Sequence, residues 1–263
     1  MLFLWRTWSR RYRSRVNRVR EVPVCGWKAV EAVFARRPEC VRRLFFDPDT
    51  GRRAGAFSKY LAKERRIYRQ VTAEELEKIS GTVHHGGIVA VTERPDPAEV
   101  TPEEISAWSK ERRALLVLDR VANHHNLGAL VRTAAFFGVR AIVFGAHRDQ
   151  ALPGESTYRI AEGGMEYVEL RPVASLPRFL RAIRPQYIVV GAALQGDPLE
   201  RVRVSSTGRP TALVLGNEEE GLAPAVLAAC EQRLLIPGGG AIESLNVSAA
   251  GAILMHWFFG SKK

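Results

Sequence analysis

Short apolar runs alternate along most of this chain with longer stretches in which apolar side chains return every three or four positions. From residue 113 onward the runs predict strands at Leu115–Leu118, Ala141–Phe144, Tyr187–Ala193, Ala212–Leu215 and Arg233–Ile236. The intervening periodicity predicts helices at Leu127–Phe137, Leu176–Ile183, Ala223–Cys230 and Leu245–Phe259. Strands that are apolar on both faces and separated by helices imply an α/β fold with a mainly parallel sheet covered on each side. Upstream, residues 22–94 read as a smaller α/β unit: a helix at Ala29–Ala35, a strand at Val41–Phe46 and a helix at Phe57–Arg66. A short helix at Glu74–Ile79 follows, opened by the capping pattern Thr72-Ala-Glu-Glu75, and Gly81 to Val91 read as a turn feeding a strand. Arg94-Pro-Asp-Pro97 is a break, and Pro102–Lys110 reads as a short charged helix or linker. The expected units are therefore an arm at 1–21, a small domain at 22–94, a linker at 95–112 and a large domain at 113–263.

Three stretches at the ends of predicted strands carry the candidate chemistry. The first is Asn126-Leu-Gly-Ala-Leu-Val-Arg132-Thr-Ala, the second Leu213-Val-Leu-Gly-Asn-Glu-Glu-Glu-Gly-Leu222, and the third runs from Ile236-Pro-Gly-Gly-Gly through Ser244-Leu-Asn-Val-Ser248. Open α/β sheets bind ligands at the carboxyl ends of their strands, where all three stretches fall. Gly238, Gly239 and Gly240 let a backbone approach a ligand without intervening side chains. The small residues from Ser248 to Ala252 imply a helix packed very close to its neighbour, and Gly128, one turn before Arg132, implies close approach by another chain or substrate. Asn126 is placed to cap a helix, and Ser244 and Asn246 to stand where another begins. Neither Gly-x-Gly-x-x-Gly after the first strand nor Gly-x-x-x-x-Gly-Lys-Ser/Thr anywhere occurs, which removes dinucleotide enzymes and P-loop NTPases. The pairs His84-His85 and His124-His125 lack accompanying carboxylates or cysteines, so no metal is expected and loop hydrogen bonding is.

Together the three stretches resemble, in order and spacing, the signature motifs of the SpoU (TrmH) branch of the SPOUT RNA methyltransferases. The resemblance covers nearly everything after Arg20. It implies transfer of a methyl group from S-adenosyl-L-methionine to a ribose 2′-hydroxyl of rRNA or tRNA. It also implies a C-terminal trefoil knot as the cofactor site, a homodimer, and a small domain (22–94) that binds RNA on an L30e-like fold shared with a ribosomal protein. The catalytic set it implies is Asn126, Arg132, Glu218, Ser244 and Asn246, with Arg132 supplied to the partner's site. Cofactor contacts are implied at Leu194, Leu215, Gly216, Asn217, Ile236, Pro237, Gly238, Gly240, Ser244 and Leu245. Two departures stand out: Gly86 follows His85 where the family usually has His-Gln-Gly, and Gly238 replaces a usual Met. A guanidinium stays protonated at ordinary pH, so Arg132 suits bidentate binding of a phosphate and the hydroxyl oxygen better than the role of a free base. A protein that keeps the fold and binds RNA or the ribosome without methylating it is the alternative.

Charge sharpens the partner. The net charge is +11, of which residues 1–21 carry +6, residues 22–112 carry +2 and residues 113–263 carry +3. Arg10, Arg11, Arg13 and Arg15, interleaved with Trp5, Trp8 and Tyr12, suit RNA phosphates and exposed bases, as His85 and Arg132 do elsewhere in the chain. A solvated basic tail and an organellar presequence are the other readings of this arm. No apolar run reaches the length of a membrane helix, and Cys25, Cys40 and Cys230 show no metal-ligand spacing and cannot all pair. A cytoplasmic protein without membrane contact is expected.

Overall fold

In the four residues Leu115–Leu118 (β5), Leu116 and Leu118 point into one apolar core and Leu115 and Val117 into another, all four fully buried. The same alternation holds in Ala141–Gly145 (β6) and Thr211–Leu215 (β9), so a helix layer is needed on each face. The computed structural model describes residues 21–94, 98–202, 208–240 and 242–260. Arg10, Arg11, Arg13 and Arg15 lie outside the described residues.

With Glu169–Val173 (β7), Ile188–Pro198 (β8) and Gln232–Leu235 (β10), these strands form a six-stranded sheet in the order β10-β8-β9-β5-β6-β7. Every pairing in it is parallel. β8 runs past the expected Ala193 because it carries an excursion: Gly191 faces Arg233, yet the next residue, Leu234, faces Asp197. Residues 192–196 therefore arch out of the ladder. Gly196 closes the arch against β10, where a Cβ would lie 2.7 Å from Leu234 N.

Several boundaries differ from the sequence expectation for identifiable reasons. The helix after β5 is His124–Phe136 (α6), and its cap is Asn123, whose side chain accepts from His125 N at 2.8 Å; Asn126 is not a cap but a residue of the first turns. The helix expected to reach Cys230 is only Pro224–Leu227: past it the backbone tightens, Ala229 N and Cys230 N bonding three residues back to Val226 O and Leu227 O, and Arg184 takes the carbonyls of Ala228, Ala229 and Cys230. Pro102–Lys110 has the capping box Thr101/Glu104 and buries Ile105 and Trp108 beside Leu115 and Val117, so it is part of the core. The close neighbour of Gly128 is a helix of the same molecule: a Cβ there would lie 2.9 Å from Ile160 Cβ in Glu155–Ala161 (α7). The last helix, Val247–Phe259 (α10), lays Gly251 on Leu130 and Leu215, as its small residues imply.

Residues 21–94 build a four-stranded sheet in the order β1-β4-β2-β3, from Glu21–Cys25 (β1), Val41–Phe46 (β2), Ile67–Gln70 (β3) and Ile88–Glu93 (β4). The helix Trp27–Arg36 (α1) covers one face. This unit rests on α7 and the turn Gly164–Glu166: Tyr158 joins its core, and a Cβ on Gly163 would lie 2.9 Å from Ala32 Cβ. Beside that contact Arg37 makes a two-pronged ion pair with Glu166, both side chains largely buried, and also donates to Glu93 O.

Candidate active site

β8, β9 and β10 are neighbours, so their carboxyl ends stand side by side, with β5 next to β9. β5 and β9 are also where the direction of strand addition reverses, the crevice such sheets use for ligands. All three motifs emerge there.

The loop after β9 is fixed by backbone proximity. A Cβ on Gly216 would lie inside the backbone of Gly221 and Leu222, so only glycine fits. Asn217 and Gly221 exchange two backbone bonds, each 3.0 Å. The Asn217 side chain donates to Arg120 O at 2.9 Å and accepts from Glu219 N and Glu220 N at 2.9 and 3.0 Å. Arg120, left-handed at φ 59, pairs with Glu220 and donates to Gly221 O. Asp119, almost fully buried, accepts from Ala223 N at 2.7 Å. Asp119 and Arg120 were not singled out from the sequence; their place at the end of an apolar strand was the available signal.

Glu218, in the same loop, accepts from Asn126 Nδ2 at 2.6 Å. Asn126 Oδ1 accepts from Asn246 Nδ2 at 3.1 Å. Asn246 caps α10, its Oδ1 accepting from Ser248 N at 2.9 Å and Ser248 Oγ at 2.6 Å. One chain of bonds thus joins the three motifs through Glu218, Asn126 and Asn246, three of the five residues expected to carry the chemistry. Ser244 stands exposed in the loop before the cap.

Arg132 is not in this network. It lies six residues after Asn126 on α6, about 120° around the helix, and pairs with Glu162 at 2.9 Å on an exposed surface. His85, unlike Arg132, is turned inward: its Nδ1 accepts from Gly87 N at 3.2 Å in a buried turn.

The residues expected around a cofactor stand at and beyond the carboxyl ends of β8, β9 and β10. Leu194 tips the β8 arch at 64% exposure, Leu215 and Gly216 end β9, and Ile236 and Pro237 follow β10. Leu245 is half exposed, an apolar side chain available to a ligand. Added Cβ atoms at Gly238 and Gly239 would meet nothing within 4 Å, so the loop is open where the family usually places a Met. Asn217 contributes by holding the loop, its side chain being fully engaged with backbone.

Two of the perturbed groups stand at the contact between the two sheets. Burial opposes the charge on Arg37, but bonding to Glu166 outweighs it and holds the guanidinium above its ordinary range. Burial pushes the neighbouring Tyr158 phenol up to about 12. Among the described residues no cluster of His, Cys, Asp or Glu suits a metal ion, and no helix is long and apolar enough to cross a membrane.

Residues 113–256 match the SpoU rRNA Methylase family, and residues 23–98 match the RNA 2′-O ribose methyltransferase substrate binding family. The chain is 34% identical over 248 residues to an uncharacterized tRNA/rRNA methyltransferase of Haemophilus influenzae, covering 92% of this chain and 68% of that protein. It is 32% identical to the 23S rRNA (guanosine-2′-O-)-methyltransferase RlmB of Acinetobacter baylyi, covering 88% and 94% of the two. Among solved structures, a TrmH-family protein from Porphyromonas gingivalis superposes with a TM-score of 0.69 at 26% identity over 95% of this chain and 92% of that one. The SpoU methyltransferase AviRb of Streptomyces viridochromogenes, in complex with AdoMet, shares the fold with a TM-score of 0.72 at 21% identity over 96% and 93%.

Proposed function

The chain belongs to the SpoU rRNA methylase family, and from that premise we propose that this S-adenosylmethionine-dependent RNA ribose 2′-O-methyltransferase acts on a guanosine of 23S rRNA through the Glu218–Asn126–Asn246 network. The observation that carries the assignment is the joining of three motifs by two side-chain bonds, Asn126 to Glu218 and Asn246 to Asn126, at the carboxyl ends of parallel strands. A module that only bound RNA would have no use for that convergence. The guanosine target follows the relative from Acinetobacter baylyi, which this chain matches over nearly its whole length.

S-adenosyl-L-methionine supplies, when bound, an electrophilic methyl group on sulfur. The arch at Leu194, the β9 end at Leu215 and Gly216, and the loop Ile236–Gly240 with Ser244 and Leu245 would hold its adenosine part. Glu218 holds the Asn126 amide with its oxygen toward Asn246, which leaves α10 anchored beside the open glycine loop. Arg132 would hold the ribose 2′-oxygen and the adjacent phosphate together through its two-pronged guanidinium, with that phosphate placed to take the hydroxyl proton. The C-terminal segment forms a trefoil knot in this reading, and residues 22–94 and the basic arm hold the RNA.

The protein works as a homodimer, with Arg132 reaching the partner's site. Phe136, one turn after Arg132 on the same face of α6, is 83% exposed, and Trp257 and Ile253 are exposed on the adjacent α10. Met255, by contrast, is fully buried and takes no part in that face. Mixing inactive Arg132→Ala and Asn246→Ala chains tests this: with random exchange, activity recovers to about a quarter of wild type, because half the dimers are mixed and each has one complete site. No recovery after verified exchange would place Arg132 in its own subunit's site or outside the chemistry.

A further inference from the structure

We infer that Glu162 is a positioning residue for Arg132, held by the turn of the large domain on which the small domain rests; the inference rests on the function proposed above. Glu162 ends α7 in the left-handed region, φ 43 and ψ 49, a conformation that favours glycine. Two glycines follow it directly, yet the strained position itself holds a carboxylate. Its ion pair with Arg132, at 2.9 Å, leaves both side chains more than half exposed, so it adds little to stability. A left-handed glutamate costs more than such a pair contributes, which points to function rather than folding.

The rest of the turn is built to fix that pair. A Cβ on Gly164 would lie 3.2 Å from Arg132 Cα and from Val131 O, so the turn is pressed against the helix backbone at Arg132 itself. Gly163 is pressed on its other side against Ala32 and Lys28 O of α1, in the small domain. Glu166, at the end of the turn, takes Arg37, which follows α1. Thus five consecutive residues touch the small domain at two points and Arg132 at two. An arginine with a free side chain samples many rotamers; one carboxylate on a clamped backbone selects the orientation in which the guanidinium lies along the exposed face of α6. The small domain, by fixing the turn, fixes Arg132.

The test compares full-length Glu162→Gln, Glu162→Gly, Arg132→Ala and Arg132→Ala/Glu162→Gln on protein-free 23S rRNA. Expected for the Glu162 variants is a fall in kcat of about tenfold or more, with the Kd for S-adenosylmethionine unchanged. Glu162→Gly should also raise Tm by about 2 °C, since glycine releases the backbone strain. The double variant should be no slower than Arg132→Ala alone, because Glu162 acts only through Arg132. Stability rising while kcat falls is an outcome that a merely structural role cannot give. Wild-type or increased kcat in the Glu162 variants, or losses that multiply in the double variant, would overturn the inference while leaving the proposed function intact. An active Arg132→Ala enzyme would overturn the role of Arg132 and this inference with it.

Discussion

Asn126 gives a hydrogen bond from Nδ2 to Glu218 Oε1 at 2.6 Å, and this bond ties the helix after β5 to the loop after β9. The amide has one acceptor end and one donor end, and both are used: Oδ1 faces Asn246 Nδ2. Replacing Asn126 by Asp sets a second carboxylate against Glu218 with no proton between them. Asn126→Asp should lower kcat by about a hundredfold, and Asn126→Asp/Glu218→Gln, which restores one donor and one acceptor, should recover part of it. Steady-state kinetics on the two variants checks this; an unimpaired Asn126→Asp enzyme contradicts the network's role.

Asn217 makes three side-chain bonds to backbone within the loop Gly216–Leu222. Asn217→Ala leaves those groups unpaired or hydrated and should cost about 1–3 kcal/mol. S-adenosylmethionine affinity should fall with it, because the loop loses its fixed shape. Chemical denaturation and calorimetry read the two effects separately.

The Arg37–Glu166 pair is buried and bridges the two sheets. Removing one partner leaves a buried charge uncompensated, so Glu166→Ala should destabilise by about 3–5 kcal/mol, far more than loss of the exposed Lys28–Glu31 pair. Thermal unfolding of Glu166→Ala and Glu31→Ala compares them; equal Tm values contradict the clamp.

Burial pushes the Cys230 thiol up from 9.0 to about 11, and burial likewise raises Cys25. At pH 8, dithionitrobenzoate should therefore modify only Cys40 in the folded protein and all three thiols in denaturant. The sign for stability follows: the folded protein holds the Cys230 proton more tightly than the unfolded chain, so this contribution is whole below pH 9 and is lost as pH rises through about 11. Cys230→Ala should flatten the alkaline limb of the stability curve.

The parallel sheet was legible because β5, β6 and β9 are uninterrupted apolar runs, and Asn126, Glu218 and Asn246 because glycine and polar residues close those runs. β3 has no apolar pattern: the helical spacing continues to Arg66 although the helix ends at Lys63 and Arg65 turns left-handed at φ 55, and the strand Ile67–Gln70 is exposed throughout. β1 and β7 are short, and each contains a proline, which weakens a strand pattern. Glu162 was invisible for a different reason. Its significance lies in a backbone angle and in a neighbour 30 residues earlier in sequence, and neither leaves a local pattern.

The most direct measurement is mass-spectrometric mapping of 2′-O-methylated nucleosides in protein-free 23S rRNA incubated with S-adenosylmethionine and the full-length enzyme, wild type beside Asn246→Ala. The expected result is a single guanosine converted to its 2′-O-methyl form by the wild type and not by the variant. No new ribose methylation in any RNA, from a folded protein that binds S-adenosylmethionine, or equal methylation by both proteins, would contradict the site assigned here.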